Sequence, residues 1–234
     1  MNMIISANNI VKSFQISGQS KTLVLKGLDF QVQNGDFVSL VGPSGVGKST
    51  LLYLLGTLDL PDSGDITIET NDKIHRITEM PDSELAKIRN NALGFVFQFH
   101  QLLPEFTALE NVIMPALIQG KPKRDAIEKA KMLVERVGMS HRLNHKPLEL
   151  SGGEQQRIAI ARSLINNPQI ILADEPTGNL DAANSRQVLE LISELRNEFN
   201  LTCIVATHST EVANYSDRIC TMSDGKIVTD IKKN

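Results

Sequence analysis

The run Gly42-Pro43-Ser44-Gly45-Val46-Gly47-Lys48-Ser49 constrains the fold of this chain more than any other stretch, because of what flanks it. Before it stands Asp36–Val41, whose FVSLV reads as a buried strand; after it, Ser49–Leu55 are good helix formers stopped at Gly56. Strand, glycine-rich turn and helix in that order make an anion cradle. Backbone N–H groups curl round a phosphate, the helix N-terminus adds positive potential, and the lysine reaches the terminal phosphates of a nucleotide. Gly42 through Ser49, with Thr50, are therefore expected to bind a nucleoside triphosphate, Lys48 on its β- and γ-phosphates and the Ser49 hydroxyl on Mg²⁺. A glycine-rich turn with a chance Gly-Lys-Ser triplet would require neither flank.

The remaining chain repeats the same rhythm. Short β-rich runs stand at Ile4–Ile5, Phe30–Val32 and Ile66–Glu69, a short helix at Pro81–Arg89, and a strand at Leu93–Gln98. Two helical patterns fill Thr107–Arg136. Then come a strand at Gln169–Ala173, a helix at Asn184–Phe199, a strand at Thr202–Thr207 and a closing hairpin turning at Asp224–Gly225. Strands alternating with helices predict an α/β fold with a mainly parallel sheet and a small antiparallel β part. With no repeat or linker, residues 1–234 are expected to form one nucleotide-binding domain, its core about 1–98 and 161–234 and a helical lobe inserted at about 99–160.

Composition narrows the setting. An apolar fraction of 41% suits an ordinary packed enzyme, and a formal net charge of −3 excludes the global basic field that gathers nucleic acid, so no nucleic-acid partner is expected. Cys203 and Cys220 lack metal-ligand spacing and are expected to be buried and free. His141 and His145 stand four apart, but Asn144 and Pro147 argue for a loop and no third ligand is in view. No apolar run approaches the roughly 18 to 20 residues of a membrane span, and the N-terminal residues lack a signal-peptide pattern. The chain is expected in the cytoplasm, any membrane role being exerted through a separate protein.

Two further motifs carry chemistry. IILADE (Ile170–Glu175) is an apolar strand ending in two acids, at the sheet edge where ligands gather in open α/β folds. Asp174 is expected to hold Mg²⁺, usually through a water, and Glu175 to accept the proton of the attacking water; a solvated strand end would also explain two acids. Leu150-Ser151-Gly152-Gly153-Glu154-Gln155-Gln156-Arg157 precedes IAIARSL, and the serine and glycine amides ahead of the helix RIAIARSL make a second anion site. A serine cap alone would explain Ser151 but not the glycines.

That second motif resembles the LSGGQ signature of ABC-type ATPases, and from about Ile5 to Ile227 the elements are similar to that family and in its order. The resemblance implies a RecA-like P-loop core, ATP hydrolysis with Mg²⁺, a second copy joined through ATP, and integral membrane permease subunits as partners. Ser151, Gly152, Gly153 and Glu154 would then close over the γ-phosphate held by the other copy. Gln98 would contact Mg²⁺ and the attacking water and signal to the membrane subunit, His208 would contact the γ-phosphate, and Asp181 would lie at the dimer seam. Phe14 stands where the family commonly stacks an aromatic on adenine, with a place in the core as the alternative. Gln155-Gln156, where a basic residue is frequent, and the stretch TNDKIHRITEM depart from the family pattern.

FQFHQLLPEFTALENV (Phe97–Val112), ADEPTGNLD and NHKPLELSGGE resemble the lipoprotein-releasing ATPases of bacterial envelopes, a group shared with macrolide-exporter and cell-division ABC ATPases. The resemblance implies a place at the cytoplasmic face of the inner membrane. Phe99, Leu102, Leu103 and Phe106 are more apolar than a loop needs, so they either receive a helix of the membrane partner or pack inside the helical lobe. Soluble ABC ATPases acting on DNA or ribosomes carry coiled-coil insertions or two ATPase units, and this sequence shows neither. A small-molecule kinase would lack the Ser-Gly-Gly-Glu element.

Overall fold

The computed structural model describes residues 2–15 and 21–233. In chain order the strands and helices begin with β1 (Met3–Phe14), β2 (Thr22–Gln33), β3 (Phe37–Val41), α1 (Lys48–Leu55), β4 (Ser63–Thr70), β5 (Lys73–Arg76) and α2 (Asp82–Ala92). There follow β6 (Leu93–Phe97), α3 (Ala108–Ile118), α4 (Lys123–Arg136), α5 (Gly152–Leu164), β7 (Ile170–Asp174) and α6 (Ala182–Phe199). The chain ends with β8 (Thr202–Thr207), α7 (Thr210–Tyr215), β9 (Arg218–Ser223) and β10 (Lys226–Lys232). It divides into two compact units, Met1–Arg89 with Thr202–Asn234, and Asn90–Leu201.

The first unit holds an antiparallel sheet ordered β2-β1-β4-β5. It also holds β3 paired in parallel with β8 and β9, with β10 antiparallel to β9 at the edge. Ile5 lies opposite Val32 on one side and Ile68 on the other, and Ala7 opposite Phe30 and Ile66, so β1 is the apolar spine of the antiparallel sheet. All six residues of β8 are buried, and its two threonines are tolerated because their hydroxyls have partners: Thr202 accepts from the Gly35 N–H at 2.9 Å and Thr207 from the Ser209 N–H at 3.0 Å. Leu51, Leu54 and Leu55 bury one face of α1. At the carboxyl end of the parallel strands, the pairs Val41↔Thr207 and Val41↔Thr221 fix the register from which the glycine-rich turn departs.

The second unit is mostly helical, with β6 and β7 paired in parallel, Leu93↔Ile170 through Phe97↔Asp174. Thr107 caps α3 in a reciprocal box with Glu110. Asn111, buried in α3, holds the preceding loop: its side chain accepts from the Leu103 N–H and donates to the Leu103 and Phe106 carbonyls. The amide of Gln156 on α5 is different. It is fully buried, and neither its Nε2 nor its Oε1 finds a protein partner. An unmet amide costs about 1–3 kcal/mol, so Gln156→Met, similar in volume, is expected to stabilise by about 1 kcal/mol. That corresponds to a rise of roughly 2–4 °C in the unfolding midpoint by calorimetry; a fall would show that the amide is satisfied in solution.

Three sequence expectations change. β1 and β2 run twelve residues each, far beyond Ile4–Ile5 and Phe30–Val32. Register shifts such as that around Asn9, whose φ is +50°, break the alternation that marks a strand. β5 falls inside the unmatched stretch TNDKIHRITEM, behind a turn with Asn71 and Asp72 at φ +50° and +58°. The third concerns the signature, whose helix does not begin at Arg157 but at Gly152. Among the described residues, no helix is long and apolar enough to cross a membrane.

Candidate functional site

In the first unit, β3 delivers the chain to Gly42 at φ +155°, a conformation that leaves a Cβ no space: it would meet the Met222 carbonyl oxygen at 2.5 Å. From there the turn curls to Gly47 and α1. Lys48 opens α1 with only 7% exposure, its Nζ donating to the Gly42 and Pro43 carbonyls at 2.8 and 3.1 Å. Both of these partners are neutral carbonyl oxygens of the turn itself. A nearly buried ammonium answered only by carbonyls leaves positive charge available to an anion. Above the turn there is space, for a Cβ on Gly45 would meet nothing within 4 Å. Together the retained charge and the open turn fit a phosphate chain.

The parallel register places His208 beside the start of this turn. Val41 pairs with Thr207, so Gly42 and His208 each stand one residue past the last paired position of neighbouring strands. His208 is exposed there. Phe14, at the end of β1, is 46% exposed with the Lys12 Nζ 5.2 Å from its ring centroid, so it is not a core residue.

The second unit repeats this geometry with different groups. Phe97 pairs with Asp174, so Gln98 and Glu175 each follow the last paired residue of β6 and β7, while Asp174 closes β7 itself. Glu175 has φ +45°, the left-handed region that a non-glycine residue enters only where its surroundings impose it. Gln98 is held by Asn179 in a two-way contact: Gln98 Nε2 donates to Asn179 Oδ1 at 3.2 Å, and Asn179 Nδ2 donates to the Gln98 carbonyl at 3.0 Å. Asn179 was not a sequence candidate. It lies in the GNLD run that also holds Asp181, but nothing in its residue type marks a contact with a residue 81 positions away.

The same unit brings the signature beside Asp181. Asp181 caps α6, accepting from the Asn184 N–H at 2.9 Å, and that N–H holds its carboxyl below the usual range. Asn184 lies against Gly153, where a Cβ would meet Asn184 Oδ1 at 2.8 Å. The second glycine thus lets the Asn184 amide approach closely, and the first lies in the opening turn of α5 rather than ahead of it. Ser151 does cap the helix: its Oγ accepts from the Glu154 N–H at 3.3 Å and Glu154 Oε2 accepts from the Ser151 N–H at 2.8 Å. The Ser151 N–H, followed by the Arg142 guanidinium, holds the Glu154 carboxyl below its ordinary range. Further along α5, Arg162 is largely buried and donates to the His100 and Gln101 carbonyls at 2.7 and 2.5 Å. Burial draws its pKa down to about 10. His100 and Gln101 are both left-handed, φ +51° and +54°, and this turn lifts Phe99 to 73% exposure and leaves Leu103 exposed while Leu102 and Phe106 are half-buried.

Among the described residues there is no group of three or more His, Cys, Asp or Glu placed to hold a metal. His145 Nε2 is engaged by the Arg142 guanidinium at 3.1 Å, in keeping with a loop role for His141 and His145.

Comparison with known proteins extends these observations. The family described as ABC transporter matches residues 25–178. The chain is 48% identical over 225 residues to the lipoprotein-releasing system ATP-binding protein LolD of Bacteroides fragilis, covering 96% of this chain and 100% of that one. It is 48% identical over 228 residues to LolD of Cytophaga hutchinsonii, covering 97% and 100%. Among solved structures it resembles a dimeric post-hydrolysis state of an ATP-binding cassette bound to ADP and Pi, with TM-score 0.89, 36% identity and 99% of each chain covered. A dimeric bacterial ABC transporter cassette matches at TM-score 0.90 and 38% identity, again over 99% of each chain.

Proposed function

The chain belongs to the ABC transporter family, and from that premise we propose that it is the ATP-hydrolysing subunit of a transporter releasing lipoproteins from the bacterial inner membrane. What carries the reading is near-full-length identity to lipoprotein-releasing ATPases joined to a phosphate cradle with a buried, carbonyl-bound lysine. The chain is then one nucleotide-binding domain over residues 1–234, with a helical lobe at about 99–160. It works at the cytoplasmic face as a pair beneath separate membrane-spanning subunits.

Each residue has a physical task in this reading. The amides of the turn from Gly42 to Gly47, with Lys48, Ser49 and Thr50, grip the phosphates, and the Phe14 ring stacks on adenine. Ser49, Asp174 and Gln98 would hold Mg²⁺, which would neutralise phosphate charge there. Glu175 accepts the proton of the attacking water as the water oxygen bonds to the γ-phosphorus and the bond from that phosphorus to the β–γ bridging oxygen breaks, ADP leaving, and His208 donates to the γ-phosphate. Ser151, Gly152 and Gly153 close over the γ-phosphate of the other copy, Glu154 bracing that turn through the Ser151 N–H, and Asp181 lies at the seam. Charge that both copies grip stabilises the closed pair, and its loss on hydrolysis loosens it.

The test is recovery of the complex. Glu175→Gln, purified with ATP from native membranes in mild detergent, is expected to bring a permease carrying lipoprotein, identified by mass spectrometry. A permease bearing another cargo would overturn lipoprotein release alone, and DNA, ribosomes or soluble protein alone would overturn the transport role. The exposed Phe99 gives a second check, since a charge there disrupts docking of an apolar partner helix and leaves the nucleotide residues untouched. Phe99→Asp is expected to keep basal ATP hydrolysis and lose at least about tenfold of the stimulation by the membrane subunits, as one interface anchor is worth about 2 kcal/mol or more. Full stimulation would remove that surface from the interface.

A further inference from the structure

Glu154 places a carboxylate in the first turn of α5, the helix end that the proposed function brings against a γ-phosphate of the second copy. A helix N-terminus attracts anions, but a carboxylate on the same turn repels them. This charge is answered on both oxygens. Oε2 takes the Ser151 N–H, and Oε1 takes the Arg142 Nε at 2.9 Å, with His141 Nε2 4.0 Å from the same oxygen. The Ser151 side chain is engaged with Glu154 as well, its Oγ accepting from the Glu154 N–H at 3.3 Å, so the cap and the carboxylate are held as one unit.

Arg142 is itself anchored. It ends a short 3-10 turn, Ser140–Arg142, and its Nη1 meets His145 Nε2 at 3.1 Å. The next residues accept from the first amides of α3: Leu143 O from the Leu109 N–H at 3.0 Å and His145 O from the Ala108 N–H at 2.8 Å. Those amides follow directly on the 99–106 segment. One short stretch of chain therefore holds both the start of α3 and the charge at the start of α5.

We infer that Arg142 is a positioning residue that masks the Glu154 charge, so that the signature turn accepts the phosphate of a second copy; the inference rests on the paired-site reading above. Nothing in it requires Arg142 to touch nucleotide. The ion pair is partly exposed, so its effect is moderate, and because it works through charge it depends on ionic strength.

The experiment uses the full-length chain carrying Glu175→Gln and measures by light scattering the ATP concentration that gives half-maximal pairing. Adding Arg142→Gln is expected to raise that concentration about two- to fivefold, the size expected of one screened charge worth up to about 1 kcal/mol. ATP affinity of the single chain, measured at concentrations too low for pairing, should stay the same. Glu154→Gln in the same chain is expected to restore the parental concentration to within about 1.5-fold, since no charge is then left to mask. Arg142→Lys, which keeps the charge, should fall between parent and Arg142→Gln, and the shift should narrow in high salt as the screening length drops from about 10 Å at 0.1 M to about 3 Å at 1 M. An unchanged pairing curve for Arg142→Gln, or a defect that neither Glu154→Gln nor salt relieves, would overturn the inference. If the Glu175→Gln chain with Arg142 intact never pairs with ATP, the paired-site reading falls and the inference with it, an outcome visible before any change at Arg142.

Discussion

Glu175→Gln is expected to bind ATP with near-parental affinity and to release phosphate about two to four powers of ten more slowly, the usual contribution of a positioned general base. The carboxamide has the size of the carboxylate and can still hydrogen-bond water, but it cannot take a proton at neutral pH. Because the left-handed backbone at Glu175 sets where the side chain starts, and the substitution leaves that backbone alone, binding and chemistry should separate cleanly. The expected signature is a closed, ATP-loaded pair that persists, followed by light scattering beside steady-state phosphate release. Turnover within a few-fold of the parent would transfer the role of base to another group.

Lys48→Met separates the same two quantities in the opposite way. The buried ammonium supplies charge-assisted contacts to the phosphates worth about 1.5–3 kcal/mol each, so its loss should weaken ATP binding about a hundredfold or more. The fold should not suffer. In the free chain the ammonium is almost out of water with two carbonyls as its hydrogen-bond partners, and the thioether occupies that space without a charge to desolvate. Unfolding followed by fluorescence or calorimetry should show a midpoint without nucleotide at least as high as the parent. With ATP at a hundred times the parental dissociation constant the parent should gain about 2.7 kcal/mol and the variant almost nothing. A midpoint that drops without nucleotide would mean that Lys48 holds the turn together rather than receiving phosphate.

Much of this site was legible in the sequence because its parts are local. A phosphate cradle needs a strand, glycines, a lysine and a helix in unbroken succession, and the same succession places Gly42 through Ser49 where β3 gives way to α1. Strand-ending acids and a serine-capped helix are equally local. What escaped depends on register or on distance in sequence. Twelve-residue strands looked like two- and three-residue ones because register shifts throw neighbouring residues onto the wrong faces. β5 was hidden by its own exposure, three of its four residues being exposed. The start of α5 was misplaced because paired glycines argue against helix, whereas at Gly153 the small residue lets the Asn184 side chain pack against the helix. Asn179, Arg142 and Arg162 act through partners 81, 12 and about 60 positions away, separations that periodicity does not reach.

The grip of Arg162 has a consequence for how such a subunit diversifies. It holds the turn by the carbonyl oxygens of His100 and Gln101, atoms that every amino acid possesses, and not by their side chains. The shape of that turn is therefore insulated from the identity of the residues around it. On the docking proposed above, Phe99, Leu102, Leu103 and Phe106 form a set of four that can change while the carbonyl grip beneath them stays constant, which would let one engine be refitted to a different membrane complex with its chemistry left alone.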